Sequence, residues 1–325
     1  MASSDSEGRK STFYDSAYLA EYYDLWAEKN AKNLDTKDGT PIYTSILKNA
    51  LSTRSPPPSI DVPFSILDIG TGTGRVLINL ANDGERDSLD LSNAHFIGVD
   101  NEPAMLGRAE KAQATLSSMA RVGKVEWVLG EAADVASATT LKGYAGGIDL
   151  LFFAAGSISH LIGADEPQQF LAQVAALLRP GSGRAYLPIV NDLIAKRSIT
   201  KEPVVERTWV KLQEAEGFPS KAFPDIVYRK YPVDDSKMEG CVKTDYHTFH
   251  AIRKLATGEE EVIQKDRIVF SLRVWEEPEF LEWANSAGLE CIDTFHGLRD
   301  TCYGGRARCP LVLIFRLVFV IWGIP

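Results

Sequence analysis

The sequence predicts an α/β protein: a mostly parallel sheet with helices on both faces and one β-rich segment inserted into it. Three observations predict this. From Phe64 to Val190 short apolar runs alternate with stretches of helical periodicity, the rhythm of successive β-α-β units. Ile148–Ala154 is apolar throughout except for Asp149, as a strand covered on both faces should be. The rhythm then stops at residues 191–265, where strand-like segments are separated by polar turns, and resumes beyond them.

Each element follows in order. Residues 1–11 are small and polar and read as a loose tail. Residues 12–58 read as a helical lid segment, with Tyr14, Tyr18, Leu19, Tyr22, Tyr23 and Trp26 at roughly helical spacing, closed by the stiff Ser55-Pro56-Pro57-Pro58 stretch. The core at 59–190 takes strands at Ser65–Ile69, His95–Val99, Val125–Leu129, Ile148–Ala154 and Ala185–Val190. Helices fall at Arg75–Asn82, Pro103–Leu116 and Pro167–Leu178, the last ended by Arg179-Pro180-Gly181. In the insertion, Ile226–Tyr231 and Tyr246–Ile252 read as strands, and Glu259-Glu260-Glu261 as a solvated hairpin turn. The core is completed by 266–316, with strands at Arg267–Val274, Leu289–Phe295 and Leu311–Phe315 and a helix at Pro278–Ala287 that turns Phe280 and Trp283 inward. Residues 317–325 form an apolar tail.

Composition narrows the function classes. The 325 residues are 45% hydrophobic and 24% charged, which excludes wholesale disorder. A net charge of −9, with no Lys/Arg run longer than two, leaves no global field for nucleic acid. Cys241, Cys291, Cys302 and Cys309 include no C-x-x-C pair and no His at finger spacing, so no metal site is expected. They read as reduced thiols of a cytoplasmic protein. MASSDSEGRK has no apolar core of a secretory signal. Leu311–Pro325 is apolar but shorter than the roughly 20 residues of a membrane helix, so no stable membrane insertion is expected. That apolar end could serve as a dimer contact, although the oligomeric state is not legible.

The chemistry concentrates at three strand ends. Ile66-Leu67-Asp68-Ile69-Gly70-Thr71-Gly72-Thr73-Gly74-Arg75 turns a first strand into a first helix. Glycines permit positive φ and close ligand approach. The pattern is G-x-G-x-G, with Arg75 where a dinucleotide loop would place its last glycine. Asp68, two residues before the first glycine, repels a pyrophosphate and suits an ammonium. Phe96–Asp100 ends in an acid, 26 residues after Gly74, placed to accept from ribose hydroxyls. Glu131, after the third strand, can accept from an adenine amine, and a following backbone N–H can reach a ring nitrogen.

Together these motifs resemble the class I S-adenosylmethionine (SAM)-dependent methyltransferases over residues 12–190 and 266–316. The resemblance implies a Rossmann-like seven-stranded sheet, mostly parallel with its last strand antiparallel, and SAM as cofactor. It implies cofactor contacts from Asp68, Gly70, Thr71, Gly72, Gly74, Arg75, Asp100, Asn101, Met105, Glu131, Ala132, Ala154 and Tyr22. Glu131 departs mildly from the commoner Asp. The loop Gly156-Ser157-Ile158-Ser159-His160-Leu161 partially matches the glycine and amino-sugar N-methyltransferase branch, where it borders cofactor and substrate. That implies a small-molecule acceptor touched by Tyr14, Tyr18, Ser157, His160 and Asn191, with His160 as base or orienting group. N-P-P-Y, the mark of base and glutamine-amide methylation, is absent.

Each reading has a plainer competitor. His160 can merely bond its own loop, and the tyrosines can be core. His247, His250 and His296 are weaker catalytic candidates; the first two read as cap residues. Phe218, Phe223, Tyr228, Tyr231 and Phe249 make a ring-bearing acceptor a reasonable expectation. Against methyl transfer to nitrogen or oxygen stand a SAM-fold protein with a different reaction, a non-catalytic SAM-binding regulator and an NAD-dependent oxidoreductase. The last is disfavoured by Asp68 and Arg75.

Overall fold

The structure is a computed structural model that describes residues 9–11, 16–34, 36–37, 40–138, 141–190, 193–194, 217–296 and 311–317. The chain forms two compact units, one of Lys32–Ile194 with Trp275–Pro325 and one of Met1–Ala31 with Ala195–Val274. In chain order the elements begin with β1 (Arg9–Ser11), α1 (Ala17–Leu34), β2 (Thr36–Lys37), β3 (Thr40–Pro41) and α2 (Ile42–Thr53). The alternating stretch contributes β4 (Phe64–Ile69), α3 (Arg75–Arg86), β5 (Ala94–Asp100), α4 (Pro103–Thr115), β6 (Lys124–Leu129), β7 (Leu150–Phe152), α5 (Glu166–Leu177) and β8 (Arg184–Ile189). Then come β9 (Gly217–Pro219), β10 (Ile226–Glu239), β11 (Val242–Lys254), β12 (Glu260–Arg273), α6 (Glu277–Ser286), β13 (Leu289–His296) and β14 (Leu311–Leu317).

The first unit is built on a seven-stranded sheet in the order β13-β14-β8-β7-β4-β5-β6. The five strands from β8 to β6 are mutually parallel. β14 runs antiparallel to both its neighbours. Every residue of β4 is buried, Ser65 and Asp68 included, as expected of a central strand covered on both faces. Leu47, Phe64, Leu77, Leu80, Phe96 and Phe152 fill one core cluster. Each such side chain contributes about 1.5–3 kcal/mol by leaving water. Asp149, before β7, accepts from Arg54 Nε at 2.8 Å, Arg179 Nε at 2.7 Å and the Ser65 amide at 3.0 Å. This buried ion network ties α2 and the end of α5 to the start of β7.

The second unit is a five-stranded sheet in the order β1-β12-β11-β10-β9. Its three long strands are antiparallel meanders. α1 packs Leu19 and Tyr22 on Ile226, Tyr228, Phe249, Ala251 and Ile268. Glu21 is buried and still ionised in character: its carboxylate accepts from Tyr228 Oη, Ser220 Oγ and the amides of Lys221 and Ala222, which outweigh the burial penalty and lower its pKa.

Four expectations are corrected. Arg9–Ser11, expected as tail, pair in parallel with Asp266–Ile268 as the sheet's edge. The helical segment 12–58 divides: α1 serves the antiparallel sheet, whereas α2 puts Tyr43 and Leu47 into the core of the parallel one. Arg267–Val274, expected to resume the core, lies instead largely in β12, paired residue for residue with β11. The core resumes at Trp275, whose amide bonds the Leu193 carbonyl. Glu260 and Glu261 open β12 rather than forming the turn, and pair with Arg229 and Arg253. The aromatic supply of the insertion is largely spent on packing, since Phe218, Phe223, Tyr228 and Phe249 belong to the α1 interface.

Candidate functional site

The parallel order β7-β4-β5-β6 brings the carboxyl ends of four strands side by side, the place where open α/β sheets bind ligands. Asp68, near the end of β4, is only 1% exposed, and its Oδ2 accepts from Thr71 Oγ1 at 2.7 Å. The Thr71 amide in turn bonds the Val99 carbonyl at 2.9 Å, so the loop is anchored to both β4 and β5. Gly70, Gly72 and Gly74 adopt φ of 62°, 57° and 81°, the left-handed region that a side chain resists. α3 begins directly after them at Arg75, with its amide dipole at the loop.

Asp100 is half-buried at the end of β5. One of its oxygens accepts from the Gly72 amide at 2.7 Å and the other from the Glu102 amide at 3.0 Å. Burial pushes this carboxyl above the usual carboxylate range, and the two amides recover part of that shift. Each oxygen keeps further acceptor capacity for a vicinal diol. Asn101 Nδ2 donates to Glu131 Oε2 at 3.1 Å, joining the ends of β5 and β6 at an exposed edge. Met105 is buried, with its Cε 3.8 Å from where a Gly72 Cβ would be. Ala132 is half-buried, opening the short helical stretch after β6.

Beyond β7, Ala154 is buried while Ala155 and Gly156 take φ of 56° and 76°. Two successive left-handed residues make a sharp turn, and the Ser157 amide closes it on the Ala154 carbonyl at 3.0 Å. A Cβ on Gly156 would lie 2.7 Å from Val190 Cγ2, so only glycine fits there. The turn leads into the helical stretch Ser157–His160. Ser159 is locked by Trp275 Nε1 at 2.9 Å. His160 keeps an exposed surface, while the protein crowding its imidazole lowers its pKa.

The structure thus places Asp68, Gly70, Thr71, Gly72, Gly74, Arg75, Asp100, Asn101, Met105, Glu131, Ala132, Ala154, Ser157 and His160 in one unit, at the ends of β4–β7 and in the loops and first helical turns that follow them. Tyr22 lies in the other unit, with its ring edge-on to Phe218 at 5.3 Å and against Phe249 at 5.5 Å. Tyr18 meets Phe223 at 4.9 Å. Core packing accounts for both rings, the plainer of the two readings. Tyr14, Asn191, Cys302 and Cys309 lie outside the described residues. His247 and His250 are interior strand residues rather than caps. Among the described residues no cluster suits a metal ion, and no helix is long and apolar enough to cross a membrane. Two contributors were not singled out from sequence: Phe153, whose ring lies 3.0 Å from a Cβ on Gly70, and Ala155. The signal for the second was the small-residue run Ala154-Ala155-Gly156 after an apolar strand.

The residues fit SAM on structural grounds. A buried acid, Asp68, has the charge that suits an ammonium, and Asp100 has the acceptors that suit a diol. Above Gly72 the protein places nothing within 3.4 Å of an added Cβ, leaving room for a ligand against the backbone.

Comparisons with known proteins bear on the family and the fold. A methyltransferase-domain family model matches residues 66–181. The N-methyltransferase FrzE of a Cladobotryum species is 30% identical over 261 residues, covering 79% of this chain and 83% of its own. The O-methyltransferase resE of Aspergillus sclerotiorum is 28% identical over 127 residues, or 39% of this chain and 40% of its own. Among solved structures, Streptomyces venezuelae DesVI superposes with a TM-score of 0.57 at 15% identity, covering 94% of this chain and 100% of its own. The sugar N-methyltransferase KedS8 of a Streptoalloteichus species gives 0.55 at 19% identity, covering 97% and 99%. At these identities the two structures show the fold.

Proposed function

The chain belongs to the SAM-dependent methyltransferase family, and from that premise we propose that it methylates a nitrogen, in preference to an oxygen, of a small-molecule acceptor of the secondary-metabolite kind. The observation that carries the reading is the contiguous set Asp68, Gly72, Asp100 and Glu131 on adjacent strand ends. The preference for nitrogen is supported by the long match to an N-methyltransferase, beside the shorter match to an O-methyltransferase.

SAM, when bound, supplies an activated methyl on a sulfonium, open to direct in-line displacement by the acceptor atom. The residues of this chain do the rest by placement, which is the larger part of such catalysis. Asp68 holds an ammonium beside the Thr71 hydroxyl. Asp100, fixed by the Gly72 and Glu102 amides, holds a diol. Glu131 and the amides following it meet the base. His160, on the turn after β7, accepts the proton of an amine or orients it. Ser157, at the start of the same helical stretch, faces the acceptor side.

The test is product mass. Wild-type protein with SAM and a panel of small amines, amino sugars and phenols is expected to yield a +14 product on an amine. His160→Ala is expected to lower kcat about a hundredfold, the usual worth of a general base, with SAM binding retained. Products only from phenols would reverse the nitrogen preference. No product from any class, with SAM bound, would defeat the acceptor assignment.

A further inference from the structure

The three loop glycines are required for three different reasons, and one reason is Trp127. A Cβ on Gly70 would meet the Phe153 ring at 3.0 Å. A Cβ on Gly72 would make only ordinary van der Waals contact, with Met105 Cε at 3.8 Å. A Cβ on Gly74 would lie 2.6 Å from Trp127 Cη2, which no real packing tolerates. The same ring explains Gly98, a glycine inside β5 where the residue ordinarily weakens a strand. A Cβ there would lie 2.5 Å from both Trp127 Cε3 and Cζ3, and 2.9 Å from Thr71 Cγ2.

Register explains how one ring reaches all of this. Asp68, Gly98 and Trp127 are aligned across β4, β5 and β6, so their side chains leave the same face of the sheet. Gly98 leaves the middle position vacant. The indole of Trp127 lies across it and reaches the underside of the loop at Gly74. Its Nε1 donates to Gln113 Oε1 on α4 at 2.6 Å, which fixes the ring's direction. Thr71, packed at the same vacancy, is the residue whose hydroxyl holds Asp68.

We infer that Trp127, held by Gln113, is a positioning residue for the cofactor loop: its indole sets the height of Gly74 and Thr71, and through Thr71 the placement of the Asp68 carboxylate. The inference rests on the SAM reading of this site. A ring that merely filled the core would support stability without tuning affinity.

Calorimetric titration with S-adenosylhomocysteine, well below each variant's Tm, separates these. Trp127→Phe keeps an aromatic ring but loses the bond to Gln113, and is expected to weaken affinity at least fivefold. Gln113→Ala should weaken it similarly, and the double variant by less than the product of the two. Gly98→Ala should weaken it at least tenfold, and Gly98→Ala with Trp127→Leu should recover part of the loss, because the clashing ring is gone. Leu289→Ala, a buried truncation on β13, should lower Tm without changing affinity. Unchanged affinity in Trp127→Phe and Gln113→Ala, with only Tm lowered, would overturn the positioning role while sparing the site. Failure of folded wild-type protein to bind would overturn both.

Discussion

His247 makes the stability of this protein depend on pH in a way that one substitution can isolate. The imidazole is 2% exposed on β11. Its Nδ1 lies 3.2 Å from the Tyr231 carbonyl oxygen, so Nδ1 carries the proton and donates. Nε2 is then a buried lone pair with no hydrogen-bond partner among the described residues. Burial first, then the charge of Lys230, lowers the pKa from 6.5 to about 4, the opposing pull of the Tyr231 carbonyl and Asp245 being weaker. The folded state thus holds the ring neutral, whereas the unfolded chain protonates it below 6.5. Stability is retained above the unfolded pKa and lost as pH falls from there toward 4. The full gap of 2.5 units is worth about 3 kcal/mol, and the share lost between pH 7.5 and 5 is about 2 kcal/mol. Other groups titrate over that range, but they cancel when wild type is compared with His247→Phe. Urea unfolding at both pH values should show wild type losing about 2 kcal/mol more than the variant. The variant should also equal or exceed wild type at pH 7.5, because an unsatisfied buried acceptor costs about 1–3 kcal/mol. Equal pH dependence in the two proteins would refute the buried neutral imidazole.

Two further outcomes follow from the parallel unit. Gly72→Ala meets only Met105 Cε at 3.8 Å, so the protein should fold with modest strain from its φ of 57°, yet bind S-adenosylhomocysteine about tenfold more weakly because the methyl occupies ligand space; titration calorimetry reads this. Asp149→Asn removes the charge shared by Arg54 and Arg179, leaving cations buried beside a neutral amide, and should cost about 3–5 kcal/mol by urea unfolding.

The parallel sheet was legible because its strands are covered on both faces. Apolar runs such as Leu150–Ala154 have nowhere else to be covered, and the Gly and Pro stops between them fall where the chain turns. The grouping of the candidate residues was legible for the same reason: strand order in such sheets puts successive strand ends side by side, and Asp68, Asp100 and Glu131 do fall at the ends of β4, β5 and β6. What failed was partner choice. Arg267–Val274 has strand character either way, and nothing local states that β11, rather than the core, supplies its hydrogen bonds. Likewise Arg9–Ser11 is polar because it forms an edge, and an edge strand looks like a tail in sequence. The periodic tyrosines of α1 predicted the helix correctly but could not say which surface their rings would cover. Trp127 illustrates the remaining limit. Its meaning depends on the register that sets it beside Gly98, a relation across two strands and 29 residues.

The central claim is that Asp68, the glycine loop and Asp100 form a working SAM pocket. Its most direct test is calorimetric titration of wild-type protein with S-adenosylhomocysteine, repeated on Asp100→Ala and on the shape-preserving Asp100→Asn, with NAD as a control. Micromolar binding by wild type, at least tenfold weaker in both variants, and no binding of NAD is the expected result; hydrogen bonds to a charged group are worth about 1.5–3 kcal/mol each. Folded wild-type protein that fails to bind S-adenosylhomocysteine, or variants that bind it as tightly as wild type, would contradict the pocket assigned here.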